Sequence, residues 1–317
     1  MTEKKNEMLG TRDVYGEILL RLGAENNQIV VLDADLSGST RTAKFAKAFP
    51  KRFFNMGIAE QDMISTAAGL ATCGKIPFVS TFAVFGSGRA WDQIRQSVCY
   101  SEQNVKIVVT HAGISVGEDS ATHQANEDIA LMRALPKMTI IVPADGYETE
   151  KALEAACTYI GPVYMRLARS PFPVLFGKEY TFEIGKAPTL RNGDDVTIIA
   201  IGIMVSKALK AASILEKQGI EARIINMSTI KPIDKQVIIA AAKETGAIVT
   251  AEEHSIIGGL GSAVAEVIGE TVPVPLKRIG IKDCFGLSGK PEELFCRFGL
   301  EEKDIVEAVK DVMIRKK

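Results

Sequence analysis

The chain has 317 residues, is 46% hydrophobic and 24% charged, and carries a formal net charge of −1. That length favours two domains, and the composition is ordinary for a soluble globular protein. The near-zero charge gives no global field for nucleic acid or an anionic membrane, and no apolar run reaches the roughly 18 residues of a membrane span.

Strand and helix patterns alternate along the chain. Thr11 to Leu22 has helical spacing and precedes a strand over Gln28–Ala34. Asp33 and Asp35 stand at the end of that strand, before a polar loop, Ser37 to Thr40. A helix is expected from Glu60 to Cys73, with Gly74 as its left-handed cap. Pro77–Phe82 reads as a strand, Ala90–Ser101 as a helix and Val105–Thr110 as a strand. A long polar loop follows, His111 to Asn126. Then come a helix near Glu127–Leu135, a strand at Met138–Val142, a helix at Tyr147–Tyr159 and a strand at Val163–Leu167. Arg169 to Asp195 is rich in Pro and Gly without a sustained period and reads as a linker. Alternation then resumes with Val196–Ile201, Val205–Gln218, Ala222–Asn226, Lys235–Thr245, Ala247–Ala251, Gly259–Gly269 and Leu276–Ile281. A last helix spans about Glu301 to Ile314.

Strands rich in β-branched residues between helical patterns imply a parallel sheet covered on both faces. The expected class is α/β, with two doubly wound, mostly parallel domains at 1–172 and 194–317 and a linker at 173–193. Cys73, Cys99, Cys157, Cys284 and Cys296 are scattered, odd in number and without metal spacing. Reduced thiols in the cytoplasm are the plain reading. The amino end, MTEKKNEMLG, lacks the apolar core of a signal peptide.

Ligands of open α/β sheets bind at the carboxyl ends of strands. Asp35 and Ser39, Glu60, the loop with His111, Asp119 and His123, and Arg166 with Arg169 all fall there. The loop THAGISVGEDSATHQ holds two of the three histidines. Two imidazoles and a carboxylate can donate to and accept from several hydroxyls at once, which suits a polyol or a sugar. Zinc on His111, Asp119 and His123 fits no standard helix-borne spacing. Glu60 sits where a loop gives way to a helix, near Met56, Ile58, Phe82 and Phe85. Either it complements the helix dipole, or it is a desolvated acid able to donate to a ring nitrogen.

In their order along the chain, LGTRDVYG, LDADLSGST, GIAEQDM, STFAVF and SVGEDSATHQ resemble the carboxyl-terminal half of transketolase. The resemblance implies a thiamine-diphosphate pyrimidine-binding domain followed by the family's C-terminal domain. Glu60 then matches the glutamate that hydrogen-bonds the aminopyrimidine and sets its tautomer. Asp35 and Leu36 match residues lining the cofactor near a subunit contact. Phe82 and Phe85 match the aromatics stacked on the pyrimidine, while Gly88 stands where the family often has a third. Arg12, Ser39, His111 and Arg169 match phosphate-binding positions, with Arg169 favoured over Arg166. Asp119 matches a contact to the hydroxyl beside the substrate carbonyl, and His123 a proton carrier near the reacting hydroxyls.

The family's diphosphate and Mg²⁺ (or Ca²⁺) site rests on a GDG motif and a downstream Asn. Gly193–Asp194–Asp195 lacks the second glycine and precedes a strand. The chain is therefore expected to be the C-terminal subunit of a split transketolase. Its expected partner is an N-terminal subunit carrying the diphosphate domain, in an α2β2 assembly acting on sugar phosphates. The resemblance further implies that the second domain supports dimer contacts and is not needed for the chemistry. Alternatives are the beta subunit of a 2-oxo-acid dehydrogenase, a relative of deoxyxylulose phosphate synthase, or a non-catalytic scaffold subunit. Glu252, Glu253 and His254, followed by Gly258–Gly259–Leu260–Gly261, superficially resemble a phosphate-cradling turn.

Overall fold

The computed structural model describes residues 7–316. The first six residues of the amino-terminal stretch, and Lys317, lie outside the described residues.

The chain is α/β, as expected. A seven-stranded sheet has the spatial order Thr229–Lys231, Thr139–Ile141, Val163–Arg166, Lys106–Val109, Ile76–Ser80, Ile29–Asp33 and Phe53–Asn55. Its last six strands pair in parallel, and Thr229–Lys231 joins antiparallel at the edge. A five-stranded sheet runs Leu276–Ile281, Ile248–Ser255, Val196–Ala200, Ala222–Asn226 and Thr189–Arg191, with only the last strand antiparallel. Central strands such as Ile29–Asp33 and Val196–Ala200 are buried at every position, because helices cover both faces of a parallel sheet.

Several helix ends follow from local chemistry. Asp145 caps the helix Gly146–Thr158 by accepting from the Glu148 N–H at 2.8 Å, and Asp234 caps Lys235–Thr245 by accepting from the Val237 N–H. The helix Glu60–Thr72 closes at Gly74, whose φ is +77°. The Gly74 N–H donates to Ala71 O and the Lys75 N–H to Leu70 O, which together form a Schellman turn.

Several segments depart from the sequence reading, the expected polar loop Ser37–Thr40 among them, which is a short helix. The stretch expected as a linker holds two short strands: Pro171–Pro173 pairs with Met8–Gly10, and Thr189–Arg191 edges the second sheet. The helix expected at Ala90–Ser101 starts earlier, with π-helical turns at Phe85–Arg89 and Ile94–Tyr100 around a short α-helical stretch, Trp91–Gln93. Such turns recur at functional sites. The helix Pro291–Phe298 was not anticipated.

The domains share a core. One apolar cluster runs from Val30, Leu32 and Ile64 in the first sheet layer to Ile199, Met227 and Leu260 in the second. The strand Thr229–Lys231 comes from the second half of the chain yet pairs with Thr139–Ile141 of the first sheet. Among the described residues no helix is long and apolar enough to cross a membrane.

Candidate active site

The expected residues gather at the carboxyl edge of the first sheet. Asp35 and Leu36 follow Ile29–Asp33, Glu60 follows Phe53–Asn55, Phe82 follows Ile76–Ser80, His111 follows Lys106–Val109, and Arg169 follows Val163–Arg166. Asp35 and His111 both hold positive φ, at 63° and 60°. That conformation costs free energy for a residue with a Cβ and clusters at functional sites.

A run of side-chain contacts links most of them. Arg12 Nη1 donates to Ser39 O at 3.1 Å and lies 3.3 Å from His111 Nε2. The His111 ring stacks on Phe82 with centroids 3.8 Å apart. Phe82 lies near-parallel to Phe85 at 5.9 Å, and His123 stands edge-on to both. Arg89 covers the Phe85 ring at 4.8 Å, and its Nη1 donates to Glu60 Oε2 at 2.9 Å. On the flank, Arg169 donates to Val116 O at 2.6 Å and faces Asp119 Oδ2 at 3.4 Å. Asp35 stands apart from this run: it is exposed, and its carboxylate accepts from Asn55 Nδ2 at 3.1 Å.

Burial pushes the His111 pKa down to about 3, reinforced by Arg12 and Arg169. The imidazole is thus neutral near pH 7. Since Arg12 can only donate, His111 Nε2 accepts and its Nδ1–H donates to Thr110 Oγ1 at 2.8 Å. His111 therefore orients Arg12 without adding charge. Burial lowers the Arg12 pKa, and Arg41 and Arg169 lower it further. Like charges converge here, and the buried Arg12 Nε has no partner among the described residues. A guanidinium with a spare donor in a surplus of positive charge fits a phosphate.

Glu60 is buried, with 1% of its surface exposed. Ile58, expected to help desolvate it, is instead 78% exposed. A loop residue directly before a helix can point outward while the first helical residue points in. Arg89, which the sequence reading passed over, closes the site instead. It lies four residues after Phe85 on the same π-helical turn, which brings it over that ring. At Gly88, where a third aromatic was expected from the resemblance, an added Cβ would meet nothing within 4 Å, and the Phe82 and Phe85 rings are instead flanked by His111 and Arg89. A buried carboxyl group linked through Arg89 to paired aromatic rings fits the pyrimidine end of thiamine diphosphate. Among the described residues no group of three or more His, Cys, Asp and Glu side chains is placed to hold a metal ion.

Burial separates the two arginines. Arg166 is sequestered, with Nε 2.9 Å from Asp128 Oδ2, while Arg169 is partly exposed beside Asp119. The glycine-rich turn is no phosphate cradle, because the chain fills it. Glu252 accepts from the Leu260 and Gly261 N–H groups at 2.7 and 2.8 Å, and a Cβ on Gly259 would strike the same carboxylate. The five cysteines are unpaired.

Comparison with known proteins agrees with this arrangement. The family model for the transketolase pyrimidine binding domain matches residues 7–173, and that for the transketolase C-terminal domain matches residues 185–305. The chain is 53% identical over 307 residues to a putative transketolase C-terminal section of Methanocaldococcus jannaschii, covering 96% of each. It is 45% identical to the 6-deoxy-6-sulfo-D-fructose transketolase subunit SqwH of Clostridium sp. (strain MSTE9), covering 99% of this chain and 98% of that one. A solved structure described as a split gene transketolase, inactive beta4 tetramer, superposes with a TM-score of 0.92 at 53% identity, over 98% of this chain and all of the other. The chain belongs to the transketolase family.

Proposed function

We propose that this chain is the C-terminal subunit of a split, thiamine-diphosphate-dependent transketolase. With a complementary subunit it moves a two-carbon ketol unit from a ketose phosphate to an aldose phosphate. The observation that carries this reading is the contact run from Ser39 through Arg12, His111, Phe82, Phe85 and Arg89 to Glu60, which joins a phosphate-type end to a pyrimidine-type end. The relatives named as a C-terminal section and as a subunit, both matched over nearly their whole length, support the split.

Bound thiamine diphosphate would supply the electron sink for cleaving the bond beside the ketose carbonyl. The residues of this chain do the rest. Phe82 and Phe85 would hold the pyrimidine, with Asp35 and Leu36 lining the same pocket. Glu60, freed from Arg89, would hold the proton it shares with the ring nitrogen at Oε2. Arg12, Ser39, His111 and Arg169 would bind the sugar phosphate, Asp119 would orient the hydroxyl beside the carbonyl, and His123 would carry protons. The diphosphate and Mg²⁺ fall to an N-terminal subunit, in an α2β2 assembly within the cytoplasm.

The test is a xylulose 5-phosphate plus ribose 5-phosphate assay with this chain, its copurifying partner, thiamine diphosphate and Mg²⁺. Turnover is expected only with both chains, and Glu60→Ala should lower it by roughly a thousandfold with the fold intact, about 4 kcal/mol of barrier. Near-normal rates in that variant would remove the assigned role of Glu60. Turnover by the isolated chain would remove the split.

A further inference from the structure

The loop that carries Asp119 and His123 is tied to the second domain, and one side chain makes the decisive contact. The loop is pinched at its neck, where the Gly113 N–H donates to Ala125 O at 2.9 Å. Glu253, near the end of the strand Ile248–Ser255, reaches this neck from the other domain. Its Oε1 accepts from the Ser115 N–H at 2.6 Å. Gly113 has φ +75°, and a Cβ there would collide with the Glu253 carboxyl group. The carboxyl group thus lies flat on the loop backbone, at a place that only glycine leaves open.

Neighbouring contacts make this a joint. Arg166 Nη2 donates to Glu253 O at 3.0 Å and to Ala125 O at 3.1 Å, joining strand and neck through one buried guanidinium. The Ser255 N–H donates to Asn126 O at 2.7 Å. Toward the tip, Gln124 Nε2 donates to Leu287 O at 2.8 Å and Ser288 Oγ to Glu118 O at 2.8 Å, both from the second domain. Burying a carboxyl group is costly unless it satisfies a specific donor. Here the donor is a loop amide 138 residues away in sequence.

We infer that Glu253 is a positioning residue for the reaction: its contact with the Ser115 amide fixes the neck of the loop and so the placement of Asp119 and His123 against the sugar. This rests on the transketolase reading, and it gives the second domain a direct part in the chemistry. It stands against the expectation that this domain supports dimer contacts and is not needed for the chemistry. Small displacements of positioning groups can cost about a hundredfold in rate.

The test compares Glu253→Ala, Glu253→Gln and Glu253→Asp. Gln keeps the Oε1 acceptor, Asp keeps the carboxyl group but draws it back by one methylene, and Ala removes it. Hydrogen exchange is measured on the chain itself, and KM and kcat on the chain reconstituted with its partner, thiamine diphosphate and Mg²⁺. The expected result is faster exchange at residues 113–125 in the Ala and Asp variants, with exchange in the strand Val196–Ala200 unchanged. KM for the sugar phosphates should rise at least about tenfold with unchanged affinity for thiamine diphosphate, and Gln should restore both readouts. Should Glu253→Ala not fold, Glu253→Asp decides. Wild-type loop exchange or wild-type KM in the folded Asp or Ala variant overturns the inference, as does a Gln variant no better than Ala. A wild-type pair without ketol transfer would instead overturn the proposed function, while the exchange measurement would still judge the joint.

Discussion

Glu60 sits at a helix start, and sequence alone left two readings of it: complement to a helix dipole, or buried acid aimed at a ring. Burial to 1% exposure, and the link through Arg89 to the Phe85 ring, favour the second. Yet the carboxylate is met by Arg89 at 2.9 Å, a partner that the proposed ring nitrogen would have to displace. Arg89 is 47% exposed, so the pair is screened on one side and its worth is modest. Arg89→Met is expected to cost about 1 kcal/mol in the isolated chain, and to cost nothing more once Glu60 is already Gln. A double-mutant cycle in urea unfolding measures this. A coupling energy of zero would show that the two side chains do not stabilise each other.

At the scale of elements, the turn from the strand Ile248–Ser255 into the helix Leu260–Glu270 shows how a functional-looking motif can be structural. A helix start offers free N–H groups, and here Glu252 takes two of them. Burial pushes the Glu252 pKa up to about 7, against the two N–H groups that favour the carboxylate. The native state therefore holds a proton that the unfolded chain releases near its ordinary value of 4.5. This contribution to stability is fully present below about pH 4.5, declines as pH rises toward 7 and is flat above. His254, which burial holds near 4, acts in the opposite sense over its own window from 6.5 down to about 4. The expected outcome for Glu252→Gln is that the stability gap to wild type shifts against wild type between pH 4.5 and 7. Urea unfolding across that range checks it, and a pH-independent gap would contradict it.

For the whole molecule, the weight falls on the buried network between the domains. Asp128 accepts from Arg166 Nε at 2.9 Å and from Tyr164 OH at 2.8 Å, and His254 stands 3.9 Å away. Replacing a buried ion pair with apolar groups can be neutral, but removing one partner leaves a charge without compensation. Arg166→Met should therefore cost about 3–5 kcal/mol. The shared apolar cluster and the crossing strand Thr229–Lys231 make the two sheets one cooperative unit. Urea unfolding followed by the fluorescence of Trp91 and by far-UV circular dichroism should give coincident transitions, shifted together in the variant. Separate transitions in the wild type would show that the sheets melt independently.

The sequence by itself determined the α/β class and most strands and helices, because β-branched runs and 3.6-residue spacing are local signals. It also placed Ser39, Glu60, His111, Asp119, His123 and Arg169 at one edge, since successive strand ends of a parallel sheet share one edge, while Arg12, Phe82 and Phe85 came from the resemblance. The π-helical turn that lays Arg89 on Phe85, the filling of the glycine-rich turn by Glu252 and the joint between Glu253 and Ser115 were decided only in three dimensions. Each depends on which side chain meets a particular backbone group across tens or hundreds of residues, and no local periodicity records that. Burial did the final sorting: it took Arg166 into the interior, left Arg169 at the site and kept His111 neutral.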